Sequence, residues 1–290
     1  MIGDRILSCR PVNDLLCEAM LRMSPVVKCL IVFALAFVVR QATAAFFSGT
    51  SYETGVGSLA SFCILLIPVL ALRFGDGGFR ERGFVMPKRV NRLFSISLFL
   101  AFVYVLVVIF VPGSVAGFEA GPGVPISWGL LFSAGSIVLA VVAAEAVFRG
   151  YVQAGVDKAF GWYVSFAVVS VLFTLYMLPV SVYFAGDAGE VVLLALPLLA
   201  ESLFLCFFLR ETKTLLCPVV FAATAAMLVA FTPLEATAVE YTTLVSLVCY
   251  VFLVPVMQMF VAEVKEQDAR AEVVLDLDAE DQVDADVSSG

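Results

Sequence analysis

Arg92 to Pro112 reads RLFSISLFLAFVYVLVVIFVP. After Arg92 the stretch has no Asp, Glu, Lys or Arg, and its apolar residues follow one another without alternating with polar ones. A helix needs about 20 such residues to cross the hydrocarbon of a bilayer. A lipid-facing strand would alternate apolar and polar positions, so a barrel is excluded. Seven further stretches share this character: 26–47, 54–73, 126–148, 162–185, 190–209, 214–234 and 241–262. Pro218 and Pro233 near the ends of the 214–234 stretch make it the least regular. Composition points the same way, with 62% hydrophobic and 14% charged residues in 290. The mean hydropathy is +1.03. A soluble domain must wet a large part of its surface and could not hide that much hydrocarbon. The expected fold is an all-α polytopic membrane bundle of about eight transmembrane helices.

Basic residues orient it. Lys and Arg beside spans are retained on the cytoplasmic side. With the N-terminus inside, the inner segments hold sixteen of the seventeen basic residues and the outer connections none. The outer connections carry Glu53, Glu119, Asp187, Glu190, Glu235 and Glu240 instead. Only Arg40 lies within a span. Both termini are therefore expected in the cytoplasm.

Three segments follow. Residues 1–25 form a cytoplasmic N-terminal segment without the pattern of a cleavable signal, since Asp4, Arg5, Arg10, Asp14, Glu18 and Arg22 interrupt it. After Asn13, helical spacing of Leu15, Leu16, Ala19, Met20 and Met23 fits a short interfacial helix. Residues 26–262 form the membrane domain. Residues 263–290 hold ten acids and two bases, which accounts for the whole formal charge of −8. This acidic tail is too polar to bury a core and is expected to be disordered or transiently helical. It reads as a solubilising end, with docking to a basic partner as the alternative. The cysteines at 9, 17, 29, 63, 206, 217 and 249 form no CxxC pair and read as small apolar fillers. There is no strong internal repeat of the kind that marks inverted-repeat transporters.

Ionisable groups within lipid are costly, and each is a functional candidate. Arg40, Glu145, Arg149 and Glu201 qualify. Glu145 and Arg149 stand four apart on one helix face, acid first, the favourable order for a pair. They read either as chemistry or as a structural ion pair at a helix end. Glu201 lies mid-span beside Ser202. Arg40 is a conceivable partner for it, or reaches outward past Gln41 and Thr43. A neutral, hydrogen-bonded Glu201 is the plain structural account.

The run Ala144-Glu145-Ala146-Val147-Phe148-Arg149-Gly150-Tyr151-Val152 resembles the first motif, EExxxR or EExxFRGY, of the CAAX-protease and bacteriocin-processing (CPBP) membrane family. The resemblance continues through Gly161-Trp162 to Ser170–Met177, where that family has FxxxH. It returns at Thr212–Pro218 and Val219–Ala222, then Ala226, where the family has HxxxN or HxxxH. It covers about residues 126–230. What it implies is an eight-span core in which paired glutamates and two histidines activate water, with or without a metal, while an asparagine holds the oxyanion.

Here the first glutamate position is Ala144, the two histidine positions are Met177 and Ala222, and the asparagine position is Ala226. The chain has no histidine at all. Water activation needs a base poised near neutrality or a bound metal, and one carboxylate without imidazole serves neither well. The expectation is a non-catalytic relative, with no metal or cofactor. It would bind another membrane protein or a lipidated or hydrophobic peptide, in contact with membrane lipid and without nucleic acid. Any surviving pocket between spans four, five and seven should be lined by Ala144, Glu145, Met177, Ala222 and Ala226, with Phe148, Phe173, Tyr176 and Glu201 as further candidates. Two alternatives stand beside it. One is an active CAAX-type endopeptidase that rebuilds its site from Glu145 with Tyr176, Glu201 or Cys217. The other is a small-solute transporter. The resemblance favours a bacterial plasma membrane.

Overall fold

The computed structural model describes residues 23–50, 52–75, 83–84, 86–87, 89–116, 128–179, 182, 187–231 and 239–288. The interfacial helix expected before residue 23 lies outside them. Within the described residues the chain is helical and contains no strand. The elements are α1 (Pro25–Phe47), α2 (Glu53–Gly75), α3 (Val90–Ala116) and α4 (Trp128–Glu145). A π-helical segment (Ala146–Gln153) then continues the rod into α5 (Ala154–Phe160). After it come α6 (Trp162–Met177), α7 (Ala188–Thr212), α8 (Leu216–Phe231) and α9 (Val239–Ser288).

Local chemistry sets several of these ends. Ser24 caps α1, its hydroxyl accepting from the Val27 N–H at 3.4 Å, and Pro25 occupies the first turn. Gly161 turns the chain between α5 and α6 at φ 83°, a left-handed conformation that suits glycine. Its N–H closes α5 onto the Asp157 carbonyl at 2.9 Å. Pro68, Pro197 and Pro255 lie inside α2, α7 and α9 without breaking them. Packed neighbours can satisfy the freed carbonyls in membrane helices.

Six helices are long and apolar enough to span a membrane, with the α4–π–α5 rod counted as one. The other two apolar helices, α6 and α8, have 16 residues each, a rise of about 24 Å, short of a typical core. Both end earlier than the apolar pattern does. Leu178 precedes Pro179, and a residue before proline is steered away from helical geometry. The α8 helix stops at Phe231, two residues before Pro233. At the other extreme, α9 continues as helix through the acidic tail to Ser288. No Gly or Pro falls between Ala262 and Ser288, and the preceding span removes the nucleation cost.

Packing divides the bundle into two apolar clusters. One gathers residues of α1, α2, α4, the π segment, α5 and α6, with Phe148, Val152, Val169 and Phe173 at its centre. The other gathers α3, α7, α8 and α9 around Leu100, Phe208, Phe221 and Met257. The outside is apolar too: Trp128 is 87%, Val251 70% and Phe252 68% exposed. Such a surface is stable only against hydrocarbon. The protein is a helical membrane bundle.

Candidate intramembrane site

Glu145 is the last residue of α4, and the widened π turn that follows buries all eight of its residues. Short π segments often mark functional positions in helices. The segment is tied to its neighbours by polar side chains. Gln153 donates through Nε2 to the Cys206 carbonyl at 3.3 Å, and the Ser165 hydroxyl donates to the Gln153 carbonyl at 2.9 Å. Gly150 is closely approached, since a Cβ there would stand 2.9 Å from the far edge of the Phe84 ring, which would have to shift to admit it. Phe148 enters an aromatic cluster, with ring centres 5.4 Å from Phe173 and 5.1 Å from Tyr176.

Arg149 is completely buried. Its Nη1 lies 3.2 Å from Glu145 Oε1, close enough for an ion pair yet not aligned as a hydrogen bond. Its Nη2 donates to Ser202 Oγ at 3.0 Å and to the Ser202 carbonyl at 3.4 Å, joining the π segment to α7. The guanidinium carbon sits 4.2 Å above the Phe173 ring centre. Glu145 Oε2 and Arg149 Nε are buried with no hydrogen-bond partner among the described residues.

Glu145 faces a cavity of about 420 Å³ between the two clusters. Ala144, Met177, Ala222 and Ala226 line the same cavity. The five positions singled out from the sequence thus come together from α4, α6 and α8. Phe173 and Glu201 join them. Phe148 and Tyr176 are not among the lining residues; both are buried, and the Phe148 ring packs against Phe173 and Tyr176. Arg149 is absent from the lining as well. Of the partners considered for a rebuilt site, Glu201 shares the cavity with Glu145, whereas Tyr176 and Cys217 are buried elsewhere.

Three polar side chains outside the expected lining also border the cavity. Tyr104 from α3 and Tyr250 from α9 stack with ring centres 4.7 Å apart, and the Tyr104 hydroxyl donates to Ser246 Oγ at 3.5 Å. Arg40 from α1 lines the cavity and lies 4.7 Å over the Tyr176 ring rather than pairing with Glu201. Its neighbour Gln41 donates to the carbonyls of Tyr176 at 3.2 Å and Leu178 at 3.3 Å, which secures the end of α6. The one available signal for Tyr104 was its being the only phenol in the Arg92–Pro112 stretch.

This arrangement combines an alanine-rich wall with two carboxylates, one guanidinium and two phenols. Residues 126–228 match the Rce1-like family, described as type II CAAX prenyl endopeptidase Rce1-like. That segment is similar to this family, and contains α4, the π segment, α5, α6, α7 and most of α8. No curated protein matches the chain. A catalytic zinc takes three protein ligands, and no group of three His, Cys, Asp or Glu side chains gathers among the described residues.

Proposed function

We propose that this Rce1-like membrane protein is non-catalytic and binds a lipidated or hydrophobic peptide, or a hydrophobic segment of another membrane protein, in the cavity beside Glu145. One observation carries the reading. The wall is Ala144, Met177, Ala222 and Ala226, where the family pattern places glutamate, two histidines and asparagine. Methyl and thioether groups neither accept a proton nor hold a nucleophilic water, but they do favour hydrocarbon. Prenyl or acyl chains suit such walls, and Glu145 and Glu201 would meet N–H groups of the attached peptide. The same reading places the protein in a bacterial plasma membrane with both termini in the cytoplasm, supported by the family likeness and by the one-sided distribution of basic residues.

The test uses the purified full chain and a farnesylated peptide carrying a C-terminal tripeptide. Saturable binding with the peptide recovered intact is expected, persisting in Glu145→Gln and lost in Ala226→Trp. Cleavage that disappears in Glu145→Gln would sink the proposal. A residual hydrolase is the second reading, favoured by Glu201 sharing the cavity with Glu145. It requires cleavage that both Glu145→Gln and Glu201→Gln abolish.

A further inference from the structure

The Glu145–Arg149 pair divides between two cavities. Glu145 lines the one described above, and Arg149 lines a second, of about 410 Å³, bounded by the π segment, α5, the start of α6 and the end of α7. Three cations border this second cavity, Arg149, Arg210 and Lys213, against one carboxylate, Asp157. Arg210 lies flat on Trp162, its guanidinium carbon 3.6 Å from the ring centre. Lys213 is fixed as the left-handed cap of α7, φ 56°, its N–H closing on the Leu209 carbonyl at 2.8 Å. Neither Arg210 nor Lys213 forms an ion pair among the described residues.

Two buried atoms show what the cavity lacks. Arg149, wholly buried, has no acceptor for its Nε, and Gln153, 7% exposed, has no donor for its Oε1. A ligand that satisfies both brings several acceptor oxygens to the guanidinium side and one hydrogen to the amide oxygen. Guanidinium and ammonium groups together select tetrahedral oxyanions, and charge-assisted bonds of this kind are the strong ones. A bare carboxylate supplies no hydrogen for Gln153 or Asp157. A phosphate with an adjacent hydroxyl supplies both. The cavity also lies at the right level for a headgroup, since Trp162 and the 72% exposed Tyr163 open α6 as aromatic residues do at a membrane–water boundary.

We propose that this second cavity binds a phosphate group together with a hydroxyl hydrogen, supplied by the glycerol hydroxyl of a phosphatidylglycerol-type lipid or by the P–OH of free phosphate. The site is independent of the peptide-binding reading and stands if that reading fails. Trp162 reports on it directly. The chain has two tryptophans, and Trp128→Phe leaves Trp162 as the single emitter. The full chain with that substitution is titrated in neutral detergent with short-chain phosphatidylglycerol, sodium phosphate and short-chain phosphatidylcholine. A saturable change in Trp162 emission is expected with phosphatidylglycerol, weakened by added salt and at least about tenfold tighter than with phosphatidylcholine. An equal response to sodium phosphate assigns the site to the soluble anion, and silence with phosphate assigns it to the lipid. Lys213→Glu leaves the Arg210–Trp162 stack in place and should weaken the response by about tenfold or more, and Arg210→Gln with Lys213→Gln should remove it. Phosphatidylcholine binding as tightly as phosphatidylglycerol, unchanged affinity in Lys213→Glu with an unaltered melting curve, or no response to any probe overturns the proposal.

Discussion

Arg149→Met tests whether the buried ion pair holds the Rce1-like segment together. Methionine keeps a long apolar stem against the Phe173 ring, so the loss falls on the charge. In the native fold the guanidinium meets Glu145 Oε1 at 3.2 Å and Ser202 Oγ at 3.0 Å, with both members of the pair almost fully out of solvent. Removing one partner of a buried pair leaves an uncompensated charge, at a cost of about 3–5 kcal/mol. Against a total stability on the order of 5–15 kcal/mol, that is a large fraction. The double variant Glu145→Gln with Arg149→Met carries no charge, and its residual cost is that of unsatisfied polar groups, about 1–3 kcal/mol. The pair should therefore couple by about 2 kcal/mol or more, far above the ~0.3–0.5 kcal/mol scatter of independent sites. Reversible unfolding in mixed micelles, followed by far-UV circular dichroism for the wild type, both single variants and the double, gives the cycle. Additive losses, or an Arg149→Met cost under about 1 kcal/mol, would refute the reasoning.

The other expectations are local. Gln41→Leu strips two hydrogen bonds from the end of α6 and should cost about 1–3 kcal/mol, read as faster amide exchange near Leu178 than near the middle of that helix. At Gly150 an added Cβ meets the far edge of the Phe84 ring, so Gly150→Ala should be nearly neutral, while Gly150→Val should cost about 1–3 kcal/mol by overpacking and be largely rescued by Phe84→Ala in thermal melts. Ala226→Phe should fill part of the cavity, gain about 0.5–2 kcal/mol in the same melts and abolish peptide binding. Lys265→Ala breaks an exposed contact to Glu211 at 2.9 Å and should change stability by less than about 1 kcal/mol, with that difference vanishing at high salt.

The class of fold was legible because lipid permits so few solutions: an unbroken run such as Leu93–Val111 has only the helix available to it. The end of α6 was less legible. Hydropathy continues past Met177, and the end is set instead by the proline that follows Leu178. The cavity wall on α4, α6 and α8 was named in advance from the family resemblance, and Arg40 only as an ionisable group within a span. Tyr104 and Tyr250 were not named, nor was Arg40's place on that wall. These three arrive from α3, α9 and α1, outside the matched segment, and only the packing of distant helices brings them in. Motif proximity likewise does not reveal that Phe148 and Tyr176 belong to the first buried cluster.

The motif separates by the direction its residues face. Phe148, Arg149, Gly150 and Tyr151 match the family pattern and are absent from the cavity lining: one enters an aromatic cluster, one ties α7 to the π segment, one admits Phe84, and one is buried. Ala144, Met177, Ala222 and Ala226 all line the cavity. Glu145 links the two groups, lining the cavity while its Oε1 pairs with Arg149. A buried Arg149 without the Glu145 carboxylate would leave a charge that lipid cannot solvate, so the pair gives Glu145 a structural role whatever the cavity binds.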